Sequence, residues 1–484
     1  MSISLSVLSW ISYTALAGGL YLLGLVIHRL YLSPLRHFPG PKLAAATQWY
    51  VTYYEMWYRG GGMFTRHIKE LHAKYGPIVR INPWELHIDD PEFYETIYPP
   101  SASFDKLSVF ENRFGIPTAA FSTAAHAVHK KRRAALSLFF TKSRIQARSP
   151  SYSSSLTRSL AYGDEPSFIN TPTWQTPFVC AMDALVKSIH LNCQFPFMVP
   201  LANAIPEWIL LKTPSFGPVV QFRRSLDERI RRLFDPEEKR QAAEEPSYKN
   251  ATVFEVLLAS SLPPEELTQT RLQHEAVSIV GAGFDTTREM LATIAYHVLA
   301  NPETYRKLRD ELHTAIPDPS QILTWAELQQ LPYLSAWIEE GLRIGFGTVQ
   351  RSPRISPTPF IYGKYTIPPG TPISEDTYHM HTNEHVFPDP KTYRPERWLG
   401  NLRGSDGVKQ LSRYNVAFGR GGRMCLGMQL AYAAMYMMIT TLIRRFDFEL
   451  FETTCEDVEF YYDWLVPHAQ LNSKGVPVLV EMAS

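Results

Sequence analysis

The stretch FGRGGRMCLG, residues 418–427, sets a single cysteine among glycines and arginines. Phe418, Gly421, Arg423, Cys425 and Gly427 make the spacing F-x-x-G-x-R-x-C-x-G. Five fixed positions of ordinary frequency recur by chance in roughly one chain in ten thousand of this length. The chemistry open to these residues is coherent. A thiolate, not a thiol, binds iron, and neighbouring cations lower a thiol's pKa. Glycines let the backbone turn and come close to a flat ligand. Their N–H groups can also point at a metal-bound sulfur and tune it. Arg423 offers a carboxylate a forked, charge-assisted pair of hydrogen bonds, and Phe418 offers an aromatic face. A ring with two carboxylates and an iron wanting one thiolate is haem. Taken alone, Cys425 reads as a small buried hydrophobe and the glycines as turns; the spacing favours ligation.

A second constellation is SIVGAGFDTTREML, residues 278–291. Its flanks are apolar and helical, whereas Gly281 and Gly283 each cost a helix about 1 kcal/mol against Ala. Thr286-Thr-Arg-Glu289 fits a capping box, so a new helix can begin at Thr286. The other reading is one long helix with a small, polar waist. There a Thr hydroxyl bonds back to the preceding turn, and Asp285 with Thr286 offers a carboxyl and an alcohol for moving protons. A third is Glu340-Gly-Leu-Arg343, by itself an ordinary surface ion pair. With Arg397 of YRPERW (393–398) it reads instead as one network fixing how two segments dock.

These residues need elements to hold them. The chain has 484 residues, of which 45% are hydrophobic, with 48 Lys plus Arg against 47 Asp plus Glu. So balanced a charge gives no reason to expect a nucleic-acid partner. The four cysteines form no C-x-x-C pair and are too few for a disulfide framework. Residues 1–27 carry no charged side chain, and about 20 apolar residues span a bilayer as a helix. This segment lacks the basic start of a cleaved signal peptide. It therefore reads as a retained anchor over 1–32, followed by a proline-rich hinge over 33–42. Arg29, Arg36 and Lys42 follow the uncharged residues 1–27, which places the remainder of the chain in the cytosol. Helices are expected over 63–75, 126–140 and 427–446, and over 265–345 with a break near 317–320. A hairpin is expected over 78–89, with strands and turns over 349–375 and 460–482. Residues 143–163 are Ser-rich and poorly patterned, and 235–250 read as a solvated connection.

The motifs occur in the order A-G-x-D-T-T, E-x-x-R, P-E-R-W, F-x-x-G-x-R-x-C-x-G. Together they resemble the cytochrome P-450 haem-thiolate monooxygenases. KYGPIVRINPWELHIDDPEFYETIY, HKKRRAALSLFF and RRFDFELFETT are most similar to the membrane-bound fungal, trichodiene-oxygenase-like members of secondary metabolism. The resemblance implies a mainly α fold with a smaller β portion, a triangular helical body around a long central haem helix, over 43–484. It implies haem b on Cys425, with Arg133, Arg354, Arg423 and His129 meeting the propionates and Phe418 against the ring. Asp285 and Thr286 match the acid–alcohol pair, and Glu340, Arg343 and Arg397 the structural ion triad. One oxygen atom of O₂ would enter a C–H bond of a hydrophobic terpenoid or polyketide intermediate, the other leaving as water.

No dinucleotide fingerprint is present, so electrons would come from an NADPH-cytochrome reductase in the same endoplasmic reticulum membrane. Lys130, Lys131, Arg132 and Arg420 are candidates for its docking face, or else an ordinary solvated basic helix. Phe114, Phe121, Ile279, Phe284 and Val349 are candidate pocket walls. Two alternatives remain: a haem-thiolate isomerase or dehydratase needing no O₂, and a defective membrane haem protein. Relatives also run through more helical turns than residues 141–159 allow, so the body is expected to be shortened near 141–160.

Overall fold

The computed structural model describes residues 2–482 apart from 102, 149–175, 236–251, 319, 322 and 401. Helix α1 (Ser2–Ile27) runs on through a wider turn at His28–Leu32. The span Ser9–Leu32 is long and apolar enough to cross a membrane, and none of it is buried in the protein. The segment after it, expected as a hinge, is fastened to the body. The Arg80 N–H donates to Pro39 O at 2.7 Å, and Arg80 Nη1 to Arg29 O at 3.0 Å.

The body begins with α2 (Phe64–Tyr75) and the hairpin β1 (Ile78–Arg80) and β2 (Leu86–Ile88). There follow β3 (Asp105–Lys106), α3 (His126–Ser137), α4 (Pro177–Lys187) and α5 (Gly217–Arg232). Next come α6 (Gln269–Leu299), α7 (Pro302–Ala315) and α8 (Pro332–Ile344). The chain continues through β4 (Arg354–Ile355), β5 (Pro372–Ser374), α9 (Thr377–His381) and α10 (Met428–Arg445). The main sheet has the order β1-β2-β5-β4-β3, with only β2 and β5 parallel. Small two-stranded ribbons pair Phe446–Leu450 with Val478–Met482 and Tyr462–Trp464 with Val466–His468. The expected helices, hairpin and late strands are present, as is the break after Ala315.

Helix α6 is continuous over 31 residues and starts at Thr268, whose hydroxyl accepts the Arg271 N–H at 3.3 Å. The capping-box alternative at Thr286 does not hold. The Thr286 hydroxyl donates back to Ala282 O at 2.6 Å, inside the helix. The reason is packing. Leu272, Ala276, Val277 and Val280 before the waist, and Met290, Ile294 and Val298 after it, lie in one core. Burying such side chains is worth about 1.5–3 kcal/mol each, more than two glycines cost. Helix α8 crosses α6 where Gly341 allows it: a Cβ there would lie 2.4 Å from Ile294 Cγ1.

Of the stretch expected to be shortened, Lys142–Arg148 forms a helix of 7 residues. Residues 149–160 of it lie outside the described residues, as does 236–250 of the expected connection.

Candidate functional site

Cys425 lies between the turn Leu411–Tyr414 and the start of α10. Its N–H donates to Phe418 O at 2.8 Å and closes the loop. The loop needs glycine at 421, where φ is +74° and a Cβ would meet Tyr98 O at 2.6 Å. The Phe418 ring packs on Tyr432 of α10, centroids 5.2 Å apart. The Cys425 sulfur is accessible at its own surface yet enclosed by protein farther out. That enclosure pushes the thiol up from its ordinary pKa; the Gly427 N–H and Arg133 act in the opposite sense. Cys455, also exposed, opens a turn with Glu456 and Asp457.

Two elements hold this loop. From α8, Glu339 accepts from Asn415 Nδ2 at 2.8 Å and from the Tyr432 hydroxyl at 2.7 Å. From α9, His381 Nε2 accepts the Val416 N–H at 2.8 Å while its Nδ1 donates to Arg343 O, also at 2.8 Å. Those partners fix one neutral tautomer, and burial pushes its pKa down to about 3. Sequence reasoning missed His381, since nothing in YHMHTNE marks one histidine as a bridge.

Beside the thiol, basic side chains converge. Burial first, then Arg423, Lys106 and Arg133, push His129 down to about 2. Lys106 is pushed well down by burial and then by Arg354, Arg423, Arg113 and Arg133. It too was missed: SFDKLS carries no motif, and only the β3–β4 pairing brings Lys106 opposite Arg354. These groups bond mainly to carbonyls. Lys106 Nζ donates to Phe121 O at 2.9 Å, Arg423 to Thr123 O and Ala124 O at 2.6 Å each, and Arg354 to Ser352 O at 2.9 Å. Among the described residues none of Lys106, Arg133, Arg354 and Arg423 ion-pairs with a carboxylate, and Arg423 Nε is buried without a partner. Crowded, half-desolvated cations without anions are unfavourable. A ligand bringing two carboxylates beside an accessible thiol relieves that, so the donor set fits haem. A cleft lined by Tyr98, His126, Arg354, Arg420 and Arg423 opens on the same side.

The waist of α6 presents Ala282 as its exposed residue, one turn before Thr286. Asp285 and Thr286 do not bond to each other. Asp285 turns instead to Arg288 at 2.9 Å, with His468 at 3.9 Å. Burial outweighs Arg288 and raises the Asp285 carboxyl to about 7. Glu340, Arg343 and Arg397 do meet. Glu340 accepts from Arg343 Nε at 2.9 Å and Nη2 at 2.8 Å, and from Arg397 Nε at 3.2 Å. Trp398 Nε1 and the Arg394 N–H add bonds at 2.9 Å each. Glu340 and Arg343 are wholly buried, so the plain surface-pair reading fails.

Two further expectations need correction. Arg132 is not free for a partner: it holds Glu266 through two bonds, at 2.7 and 2.8 Å, and Thr123 Oγ1 at 2.8 Å. Lys130 and Lys131 stay exposed, and Arg420 is tied to the Ser412 and Arg413 carbonyls. Val349 has no accessible surface, so it lines no open space. Phe284 packs edge-on to Phe178 of α4 at 4.8 Å, and Phe114 lies 6.3 Å from Phe121.

The family model described as Cytochrome P450 matches residues 167–467. Cytochrome P450 monooxygenase sdnE of Sordaria araneosa is 36% identical over 494 residues, covering 94% of this chain and 95% of its own. Cytochrome P450 monooxygenase orf4 of Eupenicillium brefeldianum is 37% identical over 509 residues, covering 97% of this chain and 98% of its own. N-acetyltryptophan 6-hydroxylase ivoC of Emericella nidulans is 36% identical over 496 residues, covering 96% and 95%. The orf4 alignment is longer than the 484 residues of this chain, so it sets gaps opposite it. On these likenesses and the site they accompany, the chain belongs to the cytochrome P450 family and is a haem-thiolate monooxygenase.

Proposed function

We propose that this enzyme hydroxylates a hydrophobic secondary-metabolite intermediate, terpenoid or polyketide, using electrons from an NADPH-dependent reductase. The observation that carries this reading is the cluster of unpaired cations beside the accessible Cys425 thiol. Cys425 holds the iron, His129, Arg133, Arg354 and Arg423 hold the propionates, and Phe418 supports the ring. Bound there, haem supplies reductive activation of O₂. The protein's own part is to exclude water and move protons. Asp285, whose carboxyl keeps a proton up to about pH 7, and Thr286 carry that role on α6. Because their side chains do not touch, a water or a rotamer change links them. Glu340, Arg343 and Arg397 lock α8 to the 389–398 segment, and His381 extends that lock to the cysteine loop.

The test is co-expression with a reductase and a panel of apolar intermediates, with products identified by mass spectrometry. Products that need the reductase, NADPH and O₂ support the reading. Conversion without them would establish the isomerase or dehydratase alternative. Relatives named as hydroxylases of tryptophan and N-acetyltryptophan give a second substrate class, indoles, which belong in the same panel.

Thr286→Ala is expected to leave haem content nearly intact while NADPH consumption shifts toward hydrogen peroxide. Equal coupling of NADPH to product in mutant and parent would remove Thr286 from proton delivery.

The apolar span Ser9–Leu32, with Arg29 in its last turn and Arg36 and Lys42 after it, supports a single anchor in the endoplasmic reticulum with the catalytic body in the cytosol. Removing residues 1–32 is expected to move protein from pelleted membranes to the soluble fraction. Protection of the body from protease inside sealed microsomes would contradict the cytosolic placement. The gaps that the orf4 alignment sets opposite this chain are what a body shortened near 141–160 requires.

A further inference from the structure

Three histidines from separate elements meet in the interior, one of them on α9, whose His381 holds the cysteine loop. His72 comes from the end of α2, His87 from β2 and His379 from α9, and none is more than 7% exposed. Each has one ring nitrogen bound to a group that can only accept. His72 Nδ1 faces Gly76 O at 2.8 Å. His87 Nε2 faces Asp376 Oδ2 at 3.2 Å, and His379 Nδ1 faces both Asp376 oxygens at 2.8 and 2.9 Å. With protons held at those three nitrogens, His72 Nε2, His87 Nδ1 and His379 Nε2 keep lone pairs.

One ring nitrogen from each of the three histidines lies close to one from each of the others. All lie within 4.8 Å. His72 Nε2 and His87 Nδ1 are 2.8 Å apart, too close for two bare lone pairs, so a shared proton or a metal ion beside them must bridge the contact. His379 Nε2 is buried with no partner. The ring centres are 4.9, 5.0 and 5.5 Å apart. A zinc-bound imidazole nitrogen sits about 2.0–2.1 Å from the metal. That puts its ring centre about 3.2 Å away, and tetrahedral angles then separate ring centres by about 5.2 Å. The three observed spacings bracket that value. The bonds to Asp376 and Gly76 O are the outer-shell contacts that orient metal-bound histidines. Asp376 adds the negative charge that a buried dication needs.

We propose that His72, His87 and His379 bind one zinc ion, which pins α2 and α9 to the main sheet.

The test uses the full chain, purified in detergent without an immobilised-metal step after growth in zinc-supplemented medium. Metal analysis is expected to find about one zinc per chain beside the haem iron. X-ray absorption at the zinc edge is expected to show imidazole nitrogens at about 2.0–2.1 Å. His379→Ala and His72→Ala are each expected to lose the zinc, and a strong chelator to lower the melting temperature of the parent, reversed by zinc but not by magnesium. A parent protein with full haem and no zinc, whose melting is indifferent to added zinc, overturns the proposal; the His72–His87 contact then holds a shared proton. Zinc retained in full by a folded His379→Ala also overturns it, placing the metal elsewhere. If neither variant folds, stoichiometry and absorption spectrum of the parent decide.

Discussion

Cys425→Ser is expected to abolish the thiolate-type carbon monoxide difference spectrum of the reduced protein. An alcohol does not ionise near neutrality and gives iron no anionic sulfur. The loop should survive the change, because it is closed by the Cys425 backbone N–H on Phe418 O and held through Asn415 and Val416. The loss would therefore report ligation rather than unfolding, and far-ultraviolet circular dichroism of the mutant should match the parent. Cys455→Ser is the control. Cys455 lies beside Glu456 and Asp457 in an exposed turn, and its replacement should leave the spectrum unchanged. A normal spectrum from Cys425→Ser, or its loss from Cys455→Ser, would assign the iron to the wrong cysteine.

Glu340→Ala is expected to give the largest loss of stability among single substitutions of charged residues. The carboxylate has no exposure and accepts from Arg343, Arg397, Trp398 and the Arg394 N–H. Its removal strands two guanidinium groups in the interior. Breaking a buried pair from one side costs about 3–5 kcal/mol, a large part of a folding margin of about 5–15 kcal/mol. The cost should appear as a lower urea midpoint and poor haem retention, since α8 also carries Glu339, which holds the cysteine loop. Glu207→Ala removes a carboxylate of the solvent-exposed pair with Arg224 and should change neither. A Glu340→Ala protein as stable as its parent would show that packing alone fixes α8.

How much of this was legible in the sequence depended on whether a motif is local. The cysteine loop is contiguous, so its spacing exposed it, whereas the Glu340–Arg343 pair read by itself as a surface ion pair and gained its role only beside Arg397. Helix α6 was legible only as an alternative, because the TTRE run carries a true capping pattern; burial of its flanks decided the outcome. Lys106 and His381 were not legible. Each acts through a partner more than 30 positions away, Arg354 for one and Val416 for the other, and single-sequence reasoning has no access to such pairings. Arg132 shows the reverse error. In a run of four basic residues it reads as solvated surface, yet Glu266 reaches it across the fold. Asp285 and Thr286 are adjacent in sequence, but neighbouring residues on a helix do not face each other, so adjacency overstated their contact.

The central claim is that this chain puts one atom of O₂ into an organic substrate. Its most direct test is turnover under oxygen-18 gas, with reductase and NADPH, of whichever panel compound is converted. One labelled atom per hydroxylated product, and no label from oxygen-18 water, is the expected result. A product that carries no label from the gas, or that forms unchanged in its absence, would contradict the claim.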